Sequence, residues 1–267
     1  MSARPLALVT GASAGLGVEF ARQLAAQGHD LVLTARRAER LAALAAELQR
    51  AHGVVCHVMS ADLARPSAAA ELLDAIGAAA LSIEVLINNA GYGVPGSYLG
   101  QAWEVHADFQ RVMVDAVALL SYRCAAGMRA RGHGTIINVS SLAGLMPSTA
   151  GHTLYGPAKV WLIKFSESLA AELAPSGVRV LALCPGFTLT EFHDANGMRE
   201  HVARLPSWLW MDAASVVRVG LAAAARGRVV CIPGRVNRAL ALAAKILPSS
   251  FLRRLVASRA ADFRKID

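Results

Sequence analysis

Short apolar runs alternate with longer amphipathic or alanine- and leucine-rich stretches along most of the chain, which limits the folds open to it. The runs predict strands at Leu6–Val9, Leu31–Leu33, Val54–Val58, Val85–Ile87, Thr135–Val139, Val178–Leu183 and Val229–Ile232. The longer stretches predict helices at about 14–27, 38–51, 67–79, 101–131, 155–174 and 212–226. Strands joined through helices run parallel, because each crossover lies on a face of the sheet. The sequence therefore predicts an α/β fold, a Rossmann-type doubly wound parallel sheet of about seven strands flanked by helices in a single domain.

The composition supports one large buried core. Hydrophobic residues make up 55% of the 267 residues and charged residues 17%, which suits a parallel sheet covered on both faces. The formal net charge of +8 is spread along the chain. Because no zinc finger or aromatic and basic RNA-binding pattern accompanies it, we expect no nucleic-acid partner. The four cysteines are widely separated, which predicts reduced thiols and no metal site.

The sequence contains no recognisable membrane or export signal. The apolar run Leu6–Val9 leads straight into a glycine-rich turn, without the apolar region and cleavage site of a signal peptide. No window is long and apolar enough to span a bilayer. The expected location is therefore cytoplasmic.

A glycine-rich turn follows the first predicted strand at once. Its glycines permit positive φ and bring the backbone close to an anionic ligand, such as the pyrophosphate of a dinucleotide, at the start of the first helix. The candidate contacts are Gly11, Ser13, Ala14, Gly15, Leu16 and Gly17. The alternative is an ordinary tight turn, which the position between a strand and a helix disfavours.

The end of the second predicted strand indicates which dinucleotide would bind. Folds of this type usually place an acidic residue there to hold the ribose 2′-hydroxyl, whereas this chain has Thr34-Ala35-Arg36-Arg37. Ala35 leaves room and Arg36 supplies a planar cation for a 2′-phosphate, so NADP(H) is favoured over NAD(H). The alternative is that Arg36 and Arg37 begin a solvated helix, with Arg37 the more exposed of the two.

Two further segments follow predicted strands at the same edge of the sheet. Asp62 and Leu63 come after the third strand, where the aspartate could bond the adenine edge or, equally, cap a helix. Asn89, Ala90 and Gly91 come after the fourth, where small residues let the chain pass beside a cofactor or form a polar turn. We expect these three residues to do both.

Tyr155 and Lys159 are the residues best placed for chemistry. Positions i and i+4 of a helix lie on one face, so the phenol and the ammonium project in the same direction. A cation beside a tyrosine lowers the pKa of the phenol toward the range of a general acid or base. A serine of the Ser140-Ser141 pair could bond a substrate oxygen, and strand alternation lets only one of the two face it.

Together these motifs resemble the short-chain dehydrogenase/reductase family in its compact single-domain form, over about residues 5–232. The motifs that carry the resemblance are Thr10–Gly17, Asn88–Gly91, Ser141, Tyr155-Gly156-Pro157-Ala158-Lys159 and Pro185-Gly186. The resemblance implies that Tyr155 exchanges a proton with the substrate oxygen, which Ser141 holds. It implies that Lys159 binds the nicotinamide ribose and lowers the pKa of the tyrosine. By the same resemblance, the residues against the nicotinamide amide or the phosphates are Pro185, Gly186, Thr188 and Thr190.

One position departs from the family pattern. The family usually has an asparagine in the long helix after the fourth strand, where it supports a helix kink and a water leading to the lysine. This chain has Val112-Met113-Val114-Asp115-Ala116 there. Asp115 is nearly isosteric with asparagine and can accept hydrogen bonds, but an ionised carboxylate cannot donate. We expect Asp115 to keep a modified relay and place it in the catalytic set.

The domain limits follow from two segments that break the alternation. We assign residues 1–234 to a dinucleotide-binding catalytic domain, with an apolar substrate lid at about 187–211. Residues 235–267 form a basic, amphipathic helical tail that packs on or extends the same domain, contacts an anionic membrane surface, or packs across a subunit boundary. The resemblance implies a homodimer or homotetramer, formed through the helices at about 101–131 and 155–174.

The expected function is NADP(H)-dependent interconversion of a carbonyl and an alcohol by hydride transfer, with no metal required. A lipophilic substrate is expected because the candidate pocket is aromatic; its residues are Tyr92, Phe187, Phe192, Trp208 and Trp210. These aromatics could equally close the core or a subunit interface. The alternative function is a catalytically silent NADP(H)-binding sensor or scaffold, which the Asp115 departure favours.

Overall fold

A computed structural model of the chain describes residues 4–148, 150–151, 153–191, 206–248, 252 and 254. Within them, seven parallel strands form one sheet in the order β3-β2-β1-β4-β5-β6-β9. Their bounds are Leu6–Thr10 (β1), Asp30–Thr34 (β2), Cys56–Val58 (β3), Ile83–Asn88 (β4), Gly134–Val139 (β5), Val178–Leu183 (β6) and Val230–Cys231 (β9). The predicted Rossmann-type sheet is confirmed, with strand ends within a few residues of those expected.

Helices cover both faces of this sheet. Their bounds are Gly15–Ala26 (α1), Ala38–His52 (α2), Ala68–Ala78 (α3), Trp103–Gln110 (α4), Ala116–Arg131 (α5), Tyr155–Leu173 (α6), Ala213–Ala225 (α7) and Arg235–Ile246 (α8). Alternate residues of β1 enter opposite layers, because successive side chains of a strand point to opposite faces. Ala7 and Val9 pack in a cluster with α1, α2 and α7, whereas Leu6 and Leu8 pack with α3 and α5.

Two features differ from the sequence prediction. The predicted helix at 101–131 is divided, because Arg111–Asp115 form a π-helical turn between α4 and α5. In that turn the Ala116 N–H bonds the Arg111 carbonyl oxygen, five residues back. A two-stranded parallel sheet of Thr188–Leu189 (β7) and Met211–Asp212 (β8) was also not predicted. It joins the two ends of the predicted lid, of which residues 192–205 lie outside the described residues.

The topology fixes where a ligand would bind. The strand order reverses beside β1, which lies between β2 and β4. Open parallel sheets bind ligands beyond the carboxyl ends of the strands at such a switch point. The glycine turn follows β1 and Asn89 follows β4, so both lie at this edge.

The described residues contain no helix long and apolar enough to cross a membrane. In the same part of the chain, no cluster of histidine, cysteine or acidic residues could hold a metal ion. All four cysteines are free thiols.

Candidate active site

The glycine turn between β1 and α1 has a backbone that side chains would obstruct. Gly11 and Gly15 have φ of 65° and 54°, in the left-handed region that glycine tolerates. A Cβ on Gly11 would lie 2.9 Å from the Ala90 Cα, and one on Gly17 would lie 2.1 Å from the Gly11 carbonyl oxygen. Ala14, the N-cap of α1, offers no side-chain acceptor to the first N–H groups of the helix. Those groups can therefore bond an anionic ligand.

Asn89 fastens this turn to the end of β4. Its Nδ2 donates to the carbonyl oxygens of Thr10 (3.0 Å) and Gly11 (3.3 Å). The Thr10 hydroxyl donates to the Ile87 carbonyl oxygen at 3.1 Å. The same Oγ1 accepts from the backbone N–H groups of Asn89 (2.9 Å) and Ala90 (3.0 Å). Thr10, which sequence reasoning did not assign to the site, therefore holds the two turns together.

Of the two arginines after β2, Arg37 contacts the glycine turn, which the sequence did not predict. Arg36 and Arg37 are both exposed, but the Nε and Nη2 of Arg37 lie 3.2 and 3.1 Å from the Ser13 hydroxyl. Arg37 also pairs with Glu191 at 3.6 Å, and Arg40 pairs with the same carboxylate at 2.7 Å. Glu191, which sequence reasoning missed, thus links the segment after β7 to the start of α2.

Asp62 and Leu63 serve the local structure. The Asp62 Oδ1 accepts a hydrogen bond from the Ala64 N–H at 3.1 Å, two residues on, as aspartate does in turns. This bond caps a turn and not α3, which begins at Ala68. Leu63 is buried in the cluster shared with α3 and α5.

Tyr155 and Lys159 lie together at the start of α6. The Lys159 Nζ is 5.5 Å from the centroid of the Tyr155 ring. Lys159 is buried, and its Nζ donates to the Val139 carbonyl oxygen at 2.8 Å. Burial lowers the pKa of Lys159 to about 8, against a smaller opposing effect of Cys184, because a low-dielectric site disfavours the ammonium. A buried cation is thus held against the phenol ring.

The two serines after β5 do face different ways. Ser140 is buried, and its hydroxyl donates to the Lys159 carbonyl oxygen at 2.7 Å. Ser141 is half-buried, and its Oγ accepts from the Ala143 N–H at 3.1 Å. Gly144 packs against the same turn of α6, since a Cβ there would lie 2.8 Å from the Lys159 carbonyl carbon. Ser140 therefore anchors α6, which leaves Ser141 as the candidate for a substrate oxygen.

The structure does not support the relay predicted for Asp115. Its side chain is exposed and lines a surface groove with Leu63 and Arg65. Met113, two positions earlier in the π-helical turn, faces the start of α6. It is buried in a cluster with Ala158 and the Tyr155 ring. Because residues two apart point to different sides of a helix, Met113 and not Asp115 lies against Tyr155.

The aromatic residues of the predicted pocket lie in two groups. The half-buried rings of Phe187 and Trp210 are 5.6 Å apart, whereas Trp208 is 63% exposed. Tyr92 packs edge-on against Phe109, with ring centroids 5.6 Å apart. Phe192 lies outside the described residues.

The segment after β6 runs toward the glycine turn. The Thr188 hydroxyl donates to the Gly186 carbonyl oxygen at 3.1 Å. The Leu142 N–H donates to the Pro185 carbonyl oxygen at 2.7 Å, which joins this segment to the serine segment. A Cβ on Gly15 would lie 3.1 Å from the Thr190 Cβ, so Thr190 lies beside the start of α1.

A buried polar network, which sequence reasoning missed, lies behind the site. The Asn88 Nδ2 donates to the Ser121 hydroxyl at 3.0 Å and to the Asn138 Oδ1 at 2.8 Å. The Asn138 Nδ2 in turn donates to the Ser166 hydroxyl at 2.9 Å. These bonds tie β4 and β5 to α5 and α6. The signal in the sequence was one asparagine inside an apolar run, Asn138, and one at the end of another, Asn88, because a buried amide needs partners.

Comparison with protein families gives a match to the short chain dehydrogenase model over residues 5–200. The chain is 35% identical over 208 residues to a putative ketoacyl reductase of the granaticin polyketide synthase of Streptomyces violaceoruber. That alignment covers 76% of this chain and 74% of the relative.

Solved structures give matches over nearly the whole chain. A short-chain dehydrogenase from Sphingobium yanoikuyae in complex with NADPH is 33% identical, with a TM-score of 0.81, and the match covers 98% of this chain and 96% of the other. A bulky-bulky ketone specific alcohol dehydrogenase from Comamonas testosteroni is 30% identical, with a TM-score of 0.76 and coverage of 93% and 97%.

Proposed function

This chain belongs to the short-chain dehydrogenase family, and we propose that it is an NADP(H)-dependent oxidoreductase that interconverts a carbonyl and an alcohol. The observation that carries the proposal is the placement of the Lys159 Nζ 5.5 Å from the Tyr155 ring centroid, at the carboxyl edge of a dinucleotide-binding sheet. A phenol beside a buried cation is suited to exchange a proton with a substrate oxygen.

The residues around the switch point fit NADP(H). The glycine cradle and the N-terminus of α1 suit the pyrophosphate, since side chains at Gly11 or Gly17 would obstruct the turn. Arg36 and Arg37 supply cations for a 2′-phosphate where NAD-binding folds usually carry an acidic residue. The structural relative from Sphingobium yanoikuyae binds NADPH. When bound, the cofactor supplies the hydride.

The side chains of this protein would then perform the proton transfer and the positioning. In carbonyl reduction the Tyr155 hydroxyl donates its proton to the developing alkoxide, while the Ser141 hydroxyl donates a hydrogen bond to the same oxygen. Lys159 favours the phenolate that remains and binds the nicotinamide ribose. Ser140 and Gly144 hold the serine segment against α6, which fixes the distance between the two hydroxyl groups.

We propose a lipophilic ketone or acyl derivative as the substrate. Phe187 and Trp210 form a half-buried aromatic pair beside β7 and β8, and Trp208 and Leu189 in the same two segments are exposed. Apolar pocket walls with few polar groups favour such ligands. The relatives named for a ketoacyl reductase and for bulky ketones support this class.

NADPH oxidation against aldehydes, ketones, quinones and β-ketoacyl thioesters tests the proposal, with NADH for comparison. We expect turnover with NADPH that Tyr155→Phe abolishes. Stoichiometric NADPH binding without turnover on any of these carbonyls, unchanged by Tyr155→Phe, would favour the silent sensor. The placement of Asp115 in solvent is the observation that keeps this second function under test.

We further propose a homo-oligomer that forms through α5 and α6. Tyr122 on α5 is 76% exposed and Val160 on α6 is 41% exposed, and the rings of Trp161 and Phe165 stack at 4.8 Å. Large apolar side chains that are exposed on neighbouring helices are typical of a subunit interface. Tyr122→Asp should dissociate the oligomer, and sedimentation equilibrium would detect the lower mass. An unchanged mass would exclude this face as the interface. The cytoplasmic location stays a prediction.

We keep membrane contact as a proposal for α8, because residues 249–251, 253 and 255–267 of the predicted tail lie outside the described residues. Its exposed side combines Leu242 (57%) and Ile246 (69%) with Arg238 and Lys245, the chemistry that binds an anionic bilayer surface. Pelleting with phosphatidylserine vesicles should fall for Leu242→Ser/Ile246→Ser and not for Leu99→Ser, a control on another exposed leucine. Equal pelleting of all three proteins would exclude this contact.

A further inference from the structure

Asn237, in the first turn of α8, is a buried amide at the meeting point of three segments. It is 3% exposed, and its Nδ2 donates to the Pro233 carbonyl oxygen at 2.8 Å. The same nitrogen lies 3.5 Å from the Met211 Sδ. A Cβ on Gly186 would lie 2.4 Å from the Asn237 Oδ1. The amide therefore touches the turn after β6, the strand β8 and the turn after β9.

The turn that Asn237 supports is connected to the reacting groups. The Pro185 carbonyl oxygen accepts from the Leu142 N–H, next to Ser141. The Gly186 carbonyl oxygen accepts from the Thr188 hydroxyl. A displacement of Gly186 would thus move both the serine segment and the segment that leads to Thr190.

We propose that Asn237 is a positioning residue for the nicotinamide side of the cofactor site, an inference that rests on the proposed function. The amide fills the space that the missing side chain of Gly186 leaves, and its bond to Pro233 fixes its orientation. An apolar residue of similar size would leave the Pro233 carbonyl oxygen without this donor. The helix α8, which lies outside the matched family model, thereby becomes part of the site.

Binding of two ligands separates positioning from general stability. Asn237→Ala and Asn237→Asp are compared with the unmodified protein for NADPH and for adenosine 2′,5′-bisphosphate, which lacks the nicotinamide half. We expect both variants to bind NADPH about tenfold more weakly, a loss on the scale of one hydrogen bond in a buried site. Affinity for the bisphosphate should stay within about twofold. Asn237→Asp keeps the shape but cannot donate to Pro233 when ionised.

Met128→Ala is the matched control for lost stability. Met128 is fully buried on α5 beside Gly134, at the amino end of β5 and so at the opposite edge of the sheet. We expect this variant to lower Tm and to change the affinities for NADPH and for the bisphosphate by the same factor. Asn237 variants that bind NADPH as tightly as the unmodified protein, or that weaken both ligands equally, would overturn the inference.

A double-mutant cycle adds a test in the opposite direction. Gly186→Ala alone should weaken NADPH binding about tenfold, because its Cβ would meet the Asn237 amide. In the Asn237→Ala background the same change should cost at most about twofold, since the amide is gone; additive effects would reject the contact. Direct binding needs no turnover. If the protein reduces no carbonyl but the predicted differences in binding are observed, only the proposed function is overturned.

Discussion

The two sides of the proposed cofactor site are built in different ways. The adenosine side comprises the glycine turn at residues 10–17 and Arg36-Arg37, which directly follow β1 and β2. The nicotinamide side joins Ser141, the first turns of α6, the turn at Pro185-Gly186 and Asn237, from four separate parts of the chain. One side is fixed by local backbone geometry and the other by packing between distant segments. We therefore expect changes on the adenosine side to weaken the binding of NADPH and of adenosine 2′,5′-bisphosphate alike, and changes on the nicotinamide side to alter turnover or the binding of intact NADPH alone.

The largest effect is expected for Tyr155→Phe, which removes the proposed proton donor and leaves the ring against Lys159. Loss of a general acid costs about 10²- to 10⁴-fold in kcat. NADPH affinity, measured by fluorescence, should change little. Tyr122→Phe on α5 is the matched control; it keeps the ring in the proposed subunit interface and should leave kcat unchanged. Equal loss of affinity and turnover in Tyr155→Phe would break the proposed division between the two sides.

The second effect concerns the pH dependence of stability. Burial lowers the pKa of Lys159 from 10.5 to about 8, so the folded state binds the proton more weakly than the unfolded chain. Burial of the protonated Lys159 therefore lowers the free energy of unfolding, and this cost is complete below about pH 8. The cost disappears as pH rises from about 8 to 10.5. The free energy of unfolding should rise over this range by about 2–3 kcal/mol relative to Lys159→Met.

Chemical denaturation of the ligand-free protein at pH 7, 9 and 10.5 measures this difference. Lys164→Met on the same helix is the control, because Lys164 is exposed and pairs with Glu167. If the free energy of unfolding changes with pH in the same way for Lys159→Met and for the unmodified protein, Lys159 is not held in a desolvated site. The nicotinamide side would then contain no buried cation.

The third effect tests the adenosine side. Arg36→Ala and Arg37→Ala should each weaken NADPH binding about tenfold, since a charge-assisted hydrogen bond contributes about 1.5–3 kcal/mol. NADH binding should not change, because NADH lacks the 2′-phosphate. Arg50→Ala, at the far end of α2, is the control. We expect the larger loss at Arg36, since Arg37 is already engaged by Ser13 and Glu191. Equal losses for NADH would overturn the assignment of these arginines.

The same division explains what the sequence could predict. The glycine turn and the Tyr155–Lys159 pair were readable, because each depends on the spacing of a few neighbouring residues. Asp115 was assigned from the family pattern alone, whereas its exposed position follows a π-helical turn at Arg111–Asp115 that no local pattern announced. The contact of Asn237 with Gly186 joins residues 51 positions apart and depends on how α8 packs. Such a contact follows from tertiary structure, which periodicity does not determine.

The smallest effect is expected at a residue that links the two sides through exposed ion pairs. Glu191 follows Thr190 on the nicotinamide side and pairs with Arg37, the N-cap of α2, and with Arg40 in its first turn. Exposed ion pairs contribute about 0.2–1 kcal/mol and are screened by salt. Glu191→Gln should therefore change NADPH affinity less than about fivefold at low ionic strength, and not at all near 1 M salt. A large loss of NADPH affinity that does not depend on salt would mean that the two sides act as one unit, because removing these ion pairs would then disturb both sides. Isothermal titration of NADPH at two salt concentrations, with Glu167→Gln as the control for a surface carboxylate, distinguishes these outcomes.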